Sequence, residues 1–547
     1  MKKHLLSAIA LLTVLSAAAQ DAATFRKWGE ESLHTIDSTF RKNSFKYMFD
    51  ENLEGYVAYA WPMGIQLKAL IYASKMDSKY LARTEALASE FHSNFWCGYS
   101  TYSNFYAYNA VCKGNNDRYY DDNAWIAKDM MDLYDLTKKS AYLDRAKNIL
   151  KFCMSGECPS GGIRFHESHS VPTNENFDKS ATCATAPTTC ACLRLFKVTG
   201  DSIFLTNGKR LYNAMKTKGW GIGPGYRGYE NAVVMQAAIL LYQITQEEAY
   251  LNDAHHIGYS MDSRYIGWQT RRLNEVGCWG GHDMTDAYVN MYEVDHDQNW
   301  LNIAAGYLNY LHTNCRDSKG FYPEEWNDTS KAGKRFMLLD QASACSAFFK
   351  MALSPGGVVK PFEPVAIFQD ETCNNNGTSG DRFSLGLGVG NYTKDSLTYL
   401  GVINTLFQPI LDISSFKLQE GYKITLFTKD NFLGQKSTYT TSRDFLGGWN
   451  NLAVSLKVES INSSLSDSKT DAPVLVAFQS QTDQNLEISN LPENARLEIF
   501  DTTGHRVFEG KTTINTYTVN TSAFQQGLYV LKVSSKYDRQ VVKVQIR

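Results

Sequence analysis

From Asp21 to about Leu353, apolar residues recur at helical spacing, and the helices they predict come in pairs. An aliphatic–aromatic pair closes one run, a polar turn follows, and an aromatic–Leu pair opens the next at the same offset. The copies are Ile71-Tyr72 with Tyr80-Leu81, Leu133-Tyr134 with Tyr142-Leu143, Leu195-Phe196 with Phe204-Leu205, Leu241-Tyr242 with Tyr250-Leu251, and Met291-Tyr292 with Trp300-Leu301. Thr stands near the start of three of the turns, at Thr137, Thr199 and Thr245. Successive copies lie 62, 62, 46 and 50 residues apart, which is room for a helical hairpin and a connecting loop. With Gly333 to Ala352 as a late helix, the count approaches six hairpins. A peptide-binding solenoid would keep a stricter period, whereas the variable spacing and the Gly-, Tyr- and Trp-rich loops favour six pairs closed into an all-α (α/α)6 barrel with a pocket at one end.

Beyond Pro355 the pattern changes. Gly356, Gly357, Pro361 and Pro364 punctuate the chain, and period-2 alternation replaces period 3.6. Two small all-β domains are expected, at 363–459 and 472–547, joined by a Ser-rich linker over 460–471. In the last domain Leu486 to Arg547 alternates apolar with polar, Asp501-Thr502-Thr503-Gly504 reads as a turn, and Gly527-Leu528-Tyr529-Val530 falls near the end. The first 19 residues read as a signal peptide ahead of a helical domain at 20–354. Lys2, Lys3 and His4 are basic, Leu5 to Leu15 is apolar, and Ala17-Ala18-Ala19 offers a small-residue cleavage site.

Composition narrows the partners. Lys plus Arg number 55 and Asp plus Glu 57, a formal net charge of -2, so no strong attraction to nucleic acid is expected. Aromatics make up 13%, which suits both packed helices and stacking against sugar rings. Export permits disulfides, and eleven Cys leave at least one thiol over unless it pairs between chains; Cys97 with Cys112 and Cys153 with Cys158 are close in sequence, with connectivity open. No spacing matches a zinc site. No apolar run reaches the roughly 18 residues of a membrane helix.

The candidate chemistry lies at Tyr119-Tyr120-Asp121-Asp122-Asn123-Ala124-Trp125. The helix after it carries Ala124, Ala127, Met131 and Tyr134 on one face, which places Asp121 and Asp122 at its N-terminus, on the preceding loop. There one of them caps the helix and gains from its dipole in the ionised form, while like charge raises the pKa of its neighbour. Glycoside hydrolysis needs that division: one carboxylate ionised, one protonated. Trp61, Tyr119 and Tyr120 are candidate sugar platforms, whereas Trp125, inside the helix, reads as core. His166-Glu167-Ser168-His169 lacks a third ligand at a telling distance and reads as a substrate-facing or solvated loop, and Asp295-His296-Asp297 as a structural turn. No metal site is expected.

Tyr120-Asp121-Asp122-Asn123-Ala124-Trp125 resembles the catalytic motif of glycoside hydrolase family 76, the bacterial endo-α-1,6-mannanases. Ala60-Trp61-Pro62-Met63-Gly64, Gly161-Gly162-Ile163 and Tyr229-Glu230-Asn231-Ala232 resemble further segments of that family, over roughly residues 24 to 353. The resemblance implies an (α/α)6 barrel cleaving internal α-1,6-mannosidic bonds with retention, Asp121 as nucleophile, Asp122 as general acid/base, and Trp61, Tyr119, Tyr120, Phe165 and Tyr229 against the mannan. Alternatives are a related α/α-barrel hydrolase or transglycosylase on another glycan, and a non-catalytic glycan-binding protein. Arg164 stands where the family usually has an aromatic, a change expected to alter which sugar or branch is accepted, and Cys278-Trp279-Gly280-Gly281-His282-Asp283 matches only loosely.

Val365 to Val458 resembles a βγ-crystallin domain through the aromatic-to-Gly spacing of Phe427 to Gly434 and the Ser-bearing strands Asp412-Ile413-Ser414-Ser415 and Asn450-Asn451-Leu452-Ala453-Val454-Ser455. In that family paired acidic or amide residues ahead of the Ser mark a calcium site. Ile410-Leu411 in one copy and Val454 in the other count against calcium, and no cofactor is expected. The tail is similar to the C-terminal sorting domain of type IX secretion cargo, with a fibronectin-like binding module as the alternative; the resemblance implies passage across the outer membrane by that machinery, with the protein released from, or held at, the surface of a Gram-negative cell. A monomer is expected.

Overall fold

The structure is a computed structural model that describes residues 19–42, 47–48, 57–114, 117–221, 227–267, 271–274, 279–330, 336–358, 363–373, 384–400, 402, 413–461, 476–479, 485–489, 491, 495–501, 505–514, 516–534 and 539–546. Residues 1–18, expected to belong to a signal peptide, Cys278, the start of the late helical run at Gly333, Ile410-Leu411-Asp412, most of the Ser-rich linker and Thr502-Thr503-Gly504 lie outside them. The chain divides into two compact units, residues 1–461 and 462–547.

Twelve helices among the described residues build the first part of unit one: α1 (Ala22–Thr39), α2 (Ala60–Met76), α3 (Leu81–Phe95), α4 (Tyr120–Thr137), α5 (Ser140–Ser155), α6 (Thr182–Thr199), α7 (Ser202–Thr217), α8 (Gly228–Thr245), α9 (Glu248–Tyr265), α10 (Trp279–Asp295), α11 (Gln298–Tyr310) and α12 (Leu338–Ala352). The even-numbered helices pack in a closed order, α2 on α4, α4 on α6, α6 on α8, α8 on α10, α10 on α12 and α12 back on α2. Each odd-numbered helix lies outside against a neighbour. The five repeated turns are the turns between α2 and α3, α4 and α5, α6 and α7, α8 and α9, and α10 and α11. The sixth pair joins α12 to α1, from opposite ends of the domain. Short strands β1 (Ala19–Asp21), β2 (Trp96–Cys97), β3 (Ala107–Tyr108) and β4 (Gly356–Val358) accompany the helices, β2 pairing with β3 and β1 with β4.

The turn signature has a specific cause. Thr137, Thr199 and Thr245 each donate the side-chain hydroxyl to the carbonyl four residues back, at 2.7, 2.8 and 2.9 Å. Each also accepts from the N–H two residues on, at 3.3, 3.3 and 3.2 Å. The hydroxyl thus satisfies backbone groups that the helix end leaves open. Between them Lys138, Gly200 and Gln246 take positive φ, as does His296 in the fifth turn, where Asp295 replaces Thr and accepts from Asp297 N–H at 2.9 Å. Asp295-His296-Asp297 is therefore a structural turn, and Asp297 caps α11.

Unit one continues with β5 (Val365–Phe368), β6 (Ser384–Leu387), β7 (Gly390–Tyr392), α13 (Lys394–Tyr399), β8 (Ser415–Leu418), β9 (Tyr422–Lys429), β10 (Leu433–Tyr439) and β11 (Ser455–Ser460). They form two antiparallel sheets, β6-β5-β8 and β10-β9-β11-β7, around a shared core that includes Val365, Ile367, Phe416, Ile424, Leu426 and Leu456. One corner occurs twice. Ser415 Oγ donates to Asp370 O and accepts from Cys373 N–H, and Ser455 Oγ donates to Lys429 O and accepts from Phe432 N–H. In both copies the two residues ending at the donor, Thr372-Cys373 and Asn431-Phe432, have positive φ.

Unit two holds β12 (Val476–Gln479), β13 (Asn485–Ser489), β14 (Ala495–Phe500), β15 (Arg506–Thr512), β16 (Thr516–Asn520), β17 (Gly527–Ser534) and β18 (Arg539–Ile546). Sheets β12-β13-β16 and β15-β14-β17-β18 are antiparallel and share a core that includes Leu486, Ile488, Leu497, Ile499 and Leu531. All ten described cysteines are free thiols, so neither pair considered from sequence is a disulfide. No helix among the described residues is long and apolar enough to cross a membrane.

Candidate active site

Five inner helices bring their first two turns to one cleft of about 620 Å³. Trp61 and Gly64 come from α2, Asp121, Asp122 and Trp125 from α4, Cys183 from α6, Tyr229 from α8, and His282 and Asp283 from α10. Helix N-termini present unpaired N–H groups and the positive end of the helix dipole, so the mouth favours negative charge.

Asp121 and Asp122 lie inside the first turn of α4. The expectation that they sit on the preceding loop and that one of them caps the helix is corrected: Tyr119 is the N-cap residue, and no side chain caps that end. The N–H of Asp122 instead donates to Asp121 Oδ1 at 2.9 Å. Burial pushes both carboxyls above the ordinary Asp range, but their surroundings differ. Asp121 is drawn partly back by hydrogen bonds from the backbone and the Cys183 thiol. Asp122 is held well above the usual value by burial and then by the like charges of Asp121 and Asp117. The added like charge makes Asp122 the one of the two that holds a proton more strongly.

Behind the pair the motif is anchored. Asn123 is buried; its amide donates to Tyr108 O at 2.9 Å and to Tyr119 O at 2.8 Å, and its Oδ1 accepts from Tyr108 N–H at 2.7 Å. Tyr120 N–H donates to Phe165 O at 2.9 Å, and Arg118 pairs with Glu167 at 2.8 Å. These ties fix the rim residues Tyr119 and Phe165, whose rings meet edge to face at 5.2 Å.

Trp61, Tyr119, Phe165 and Tyr229 line the cleft. Tyr120 does not. It is 1% exposed, stacks on Phe152 at 4.7 Å and hydrogen-bonds Ser170 Oγ at 2.8 Å, so a platform role is excluded there. Trp125, expected in the core, lines the cleft with Lys128 Nζ 4.3 Å from its ring centroid. Arg164 is also corrected: it is buried and donates to Phe177 O and Glu157 O, both at 2.6 Å, rather than bordering the cleft. The Gly-Gly-Ile loop forms because Gly161 and Gly162 take φ of 87° and 83°. The rings of His166 and His169 lie 5.9 Å apart, and among the described residues no group of three or more His, Cys, Asp or Glu is placed to hold a metal.

Residues 29–221 match the model of glycosyl hydrolase family 76. Over those residues the helical region is similar to the family 76 glycoside hydrolases. Residues 480–547 match the secretion system C-terminal sorting domain, which marks the protein for secretion or attachment at the surface of a Gram-negative cell. A family 76 α-mannanase of Bacteroides thetaiotaomicron superposes with a TM-score of 0.54 at 23% identity, over 60% of this chain and 95% of that one. A family 76 glycoside hydrolase from a bovine strain of that species gives 0.53 at 18% identity, over 61% and 79%. A family 76 mannosidase from strain VPI-5482 gives 0.52 at 19% identity, over 60% and 98%. At these identities the likeness is one of fold. No curated protein sequence matches the chain.

The helical domain also brings to the cleft residues to which the sequence patterns gave no role. Lys68, Asp129, His282 and Asp283 form its floor. Lys68 Nζ lies 2.8 Å from Asp286 Oδ2 and 3.9 Å from Asp283 Oδ1. Burial acts against the Lys68 ammonium, but Asp286, Asp283 and Asp129 together outweigh it and keep it charged. Burial pushes Asp129 up to about 8 despite Lys68. The available signal was a lone charge at Lys68 inside the apolar run Ile65 to Ile71, and the charged pair Lys128-Asp129 inside the buried stripe of α4.

Proposed function

We propose that the protein is a secreted endo-acting glycoside hydrolase that cleaves α-1,6-mannosidic linkages in mannan by retaining double displacement. The observation that carries this reading is the unlike environment of two consecutive carboxyls on one cleft wall. Asp121 attacks the anomeric carbon while the bond from that carbon to the glycosidic oxygen breaks and Asp122 gives its proton to the leaving oxygen. Water then attacks the same carbon, loses a proton to Asp122 and displaces Asp121. Trp61, Tyr119, Phe165 and Tyr229 offer aromatic faces to the sugar chain. The family 76 match and the mannan-active names of the similar folds support the choice of substrate.

We read the middle β domain as βγ-crystallin-like, a reading supported by the twice-used Ser corner, and as an accessory module to the enzyme. The test of the main proposal is release of oligosaccharides from linear α-1,6-mannan by wild type, Asp121→Asn and Asp122→Asn. No release by wild type overturns the substrate, and equal release by the variants overturns the site. Proton NMR of the earliest product is expected to show the α-anomer; an initial β-anomer overturns retention.

A further inference from the structure

The cleft is two helix turns deep. Lys68 follows Trp61 by seven residues on α2 and Asp129 follows Asp122 by seven on α4, a descent of about 10 Å in each case. One continuous cavity spans both levels. At its bottom, Asp283 Oδ1 is buried and accepts no hydrogen bond among the described residues, while Lys68 Nζ stands 3.9 Å from it. A buried acceptor left without a donor is costly, so its retention beside an open cavity calls for a ligand.

We propose that this floor reads a hydroxyl of the glycosyl unit transferred to Asp121, with Lys68 donating to that hydroxyl and Asp283 Oδ1 accepting from it. The inference rests on the glycosidase reading above. A hydroxyl is the group that both accepts and donates, and it fits a gap with a cation on one side and a carboxyl oxygen on the other. A cationic ligand would meet Lys68, and an anionic one Asp283; a neutral polyol meets neither repulsion.

The floor is held in place before any sugar arrives. Asp286 Oδ2 accepts from Tyr72 OH at 2.8 Å as well as from Lys68. His282 Nδ1 lies 3.0 Å from Ser343 Oγ, and its Nε2 is 3.4 Å from Asp283 Oδ2. Gln236, which accepts from Lys128 at 3.0 Å, donates to Asp283 O at 3.3 Å. Such preorganisation makes the contact selective. In an α-1,6-linked chain the 2-, 3- and 4-hydroxyls are free unless a branch occupies them. The floor therefore selects against a branch on the hydroxyl that it reads in the unit at the point of cleavage.

The test is a cycle of protein variant against substrate variant. Wild type and Asp283→Ala are assayed on α-1,6-mannotriose and on analogues lacking the 2-, 3- or 4-hydroxyl in the transferred unit. Wild type is expected to lose about 10- to 100-fold in kcat/KM on one analogue, and Asp283→Ala to lose a similar factor on the parent sugar with no further loss on that analogue. Asp283→Ser runs the same cycle if the Ala variant does not fold. Losses that multiply, or variants that cleave the parent sugar as wild type does, overturn the floor contact alone. Wild type that cleaves no α-1,6-mannooligosaccharide overturns the α-1,6-mannan reading and this inference with it.

Discussion

Arg118 and Glu167 form an ion pair of 2.8 Å in which neither side chain has any solvent exposure. Arg118 also donates to Phe105 O at 2.7 Å and to Ser103 O at 3.1 Å, and Glu167 accepts from Ser100 Oγ at 2.6 Å. Three loop segments around the cleft rim thus meet at one buried pair. Glu167→Ala leaves the guanidinium buried without its carboxylate and is expected to cost about 3–5 kcal/mol. The Arg118→Met/Glu167→Leu double variant is expected to cost less than Glu167→Ala alone. Denaturant unfolding of wild type and the two variants decides; a double variant at least as unstable as Glu167→Ala contradicts this account.

The same carboxyls that are proposed to do the chemistry weaken the fold. Asp121 and Asp122 have folded pKa values above the unfolded one, so the folded state binds more protons. Their contribution is fully present below the unfolded carboxylate pKa and is lost as pH rises through the folded values. Asp122→Asn is expected to gain on the order of 1 kcal/mol at neutral pH and nothing near pH 3. Thermal melts at the two pH values measure the difference, and equal gains at both would refute the linkage.

The proposed double displacement requires Asp121 ionised and Asp122 protonated. Rate rises with pH through the Asp121 value and falls through the Asp122 value, both of which are raised, so the bell lies on the alkaline side of an ordinary carboxyl pair. Asp117 adds like charge to Asp122. Asp117→Asn is expected to move the alkaline limb of kcat/KM to lower pH and leave the acid limb nearly in place. An unmoved alkaline limb would remove Asp117 from the explanation.

Gly281 precedes the floor residues His282 and Asp283, and a Cβ there would stand 2.0 Å from the ring of buried Trp326. Gly281→Ala forces α10 away from that ring and is expected to cost about 1–3 kcal/mol. Because the floor rides on the same turn, kcat/KM on α-1,6-mannotriose should fall with it. A variant with wild-type Tm and rate would show that Trp326 yields freely.

What could be read from the sequence was local. The repeated turns were legible because Thr137, Thr199 and Thr245 satisfy backbone groups within four residues of themselves. Side-chain direction at the start of α4 was misjudged for a reason that periodicity contains. Consecutive helical residues point about 100° apart, so Tyr120 turns inward, whereas Trp125, four residues after Asp121, shares its face. The floor was invisible to pattern alone because Lys68, Asp129 and Asp283 come from three helices and meet only when the ring closes.

That closure joins the ends of the domain. β1 pairs Ala19 with Val358, and α1 packs on α12, so the last element to emerge completes the wall that the first began. The contact spans more than 300 residues and carries the loop-closure entropy and slow folding of high contact order. With the two ends in register side by side, a short linker joining them and a cut in an outer connection would rearrange the order of synthesis without changing the ring. Topologically the domain is a circle that the gene happens to open between α12 and α1.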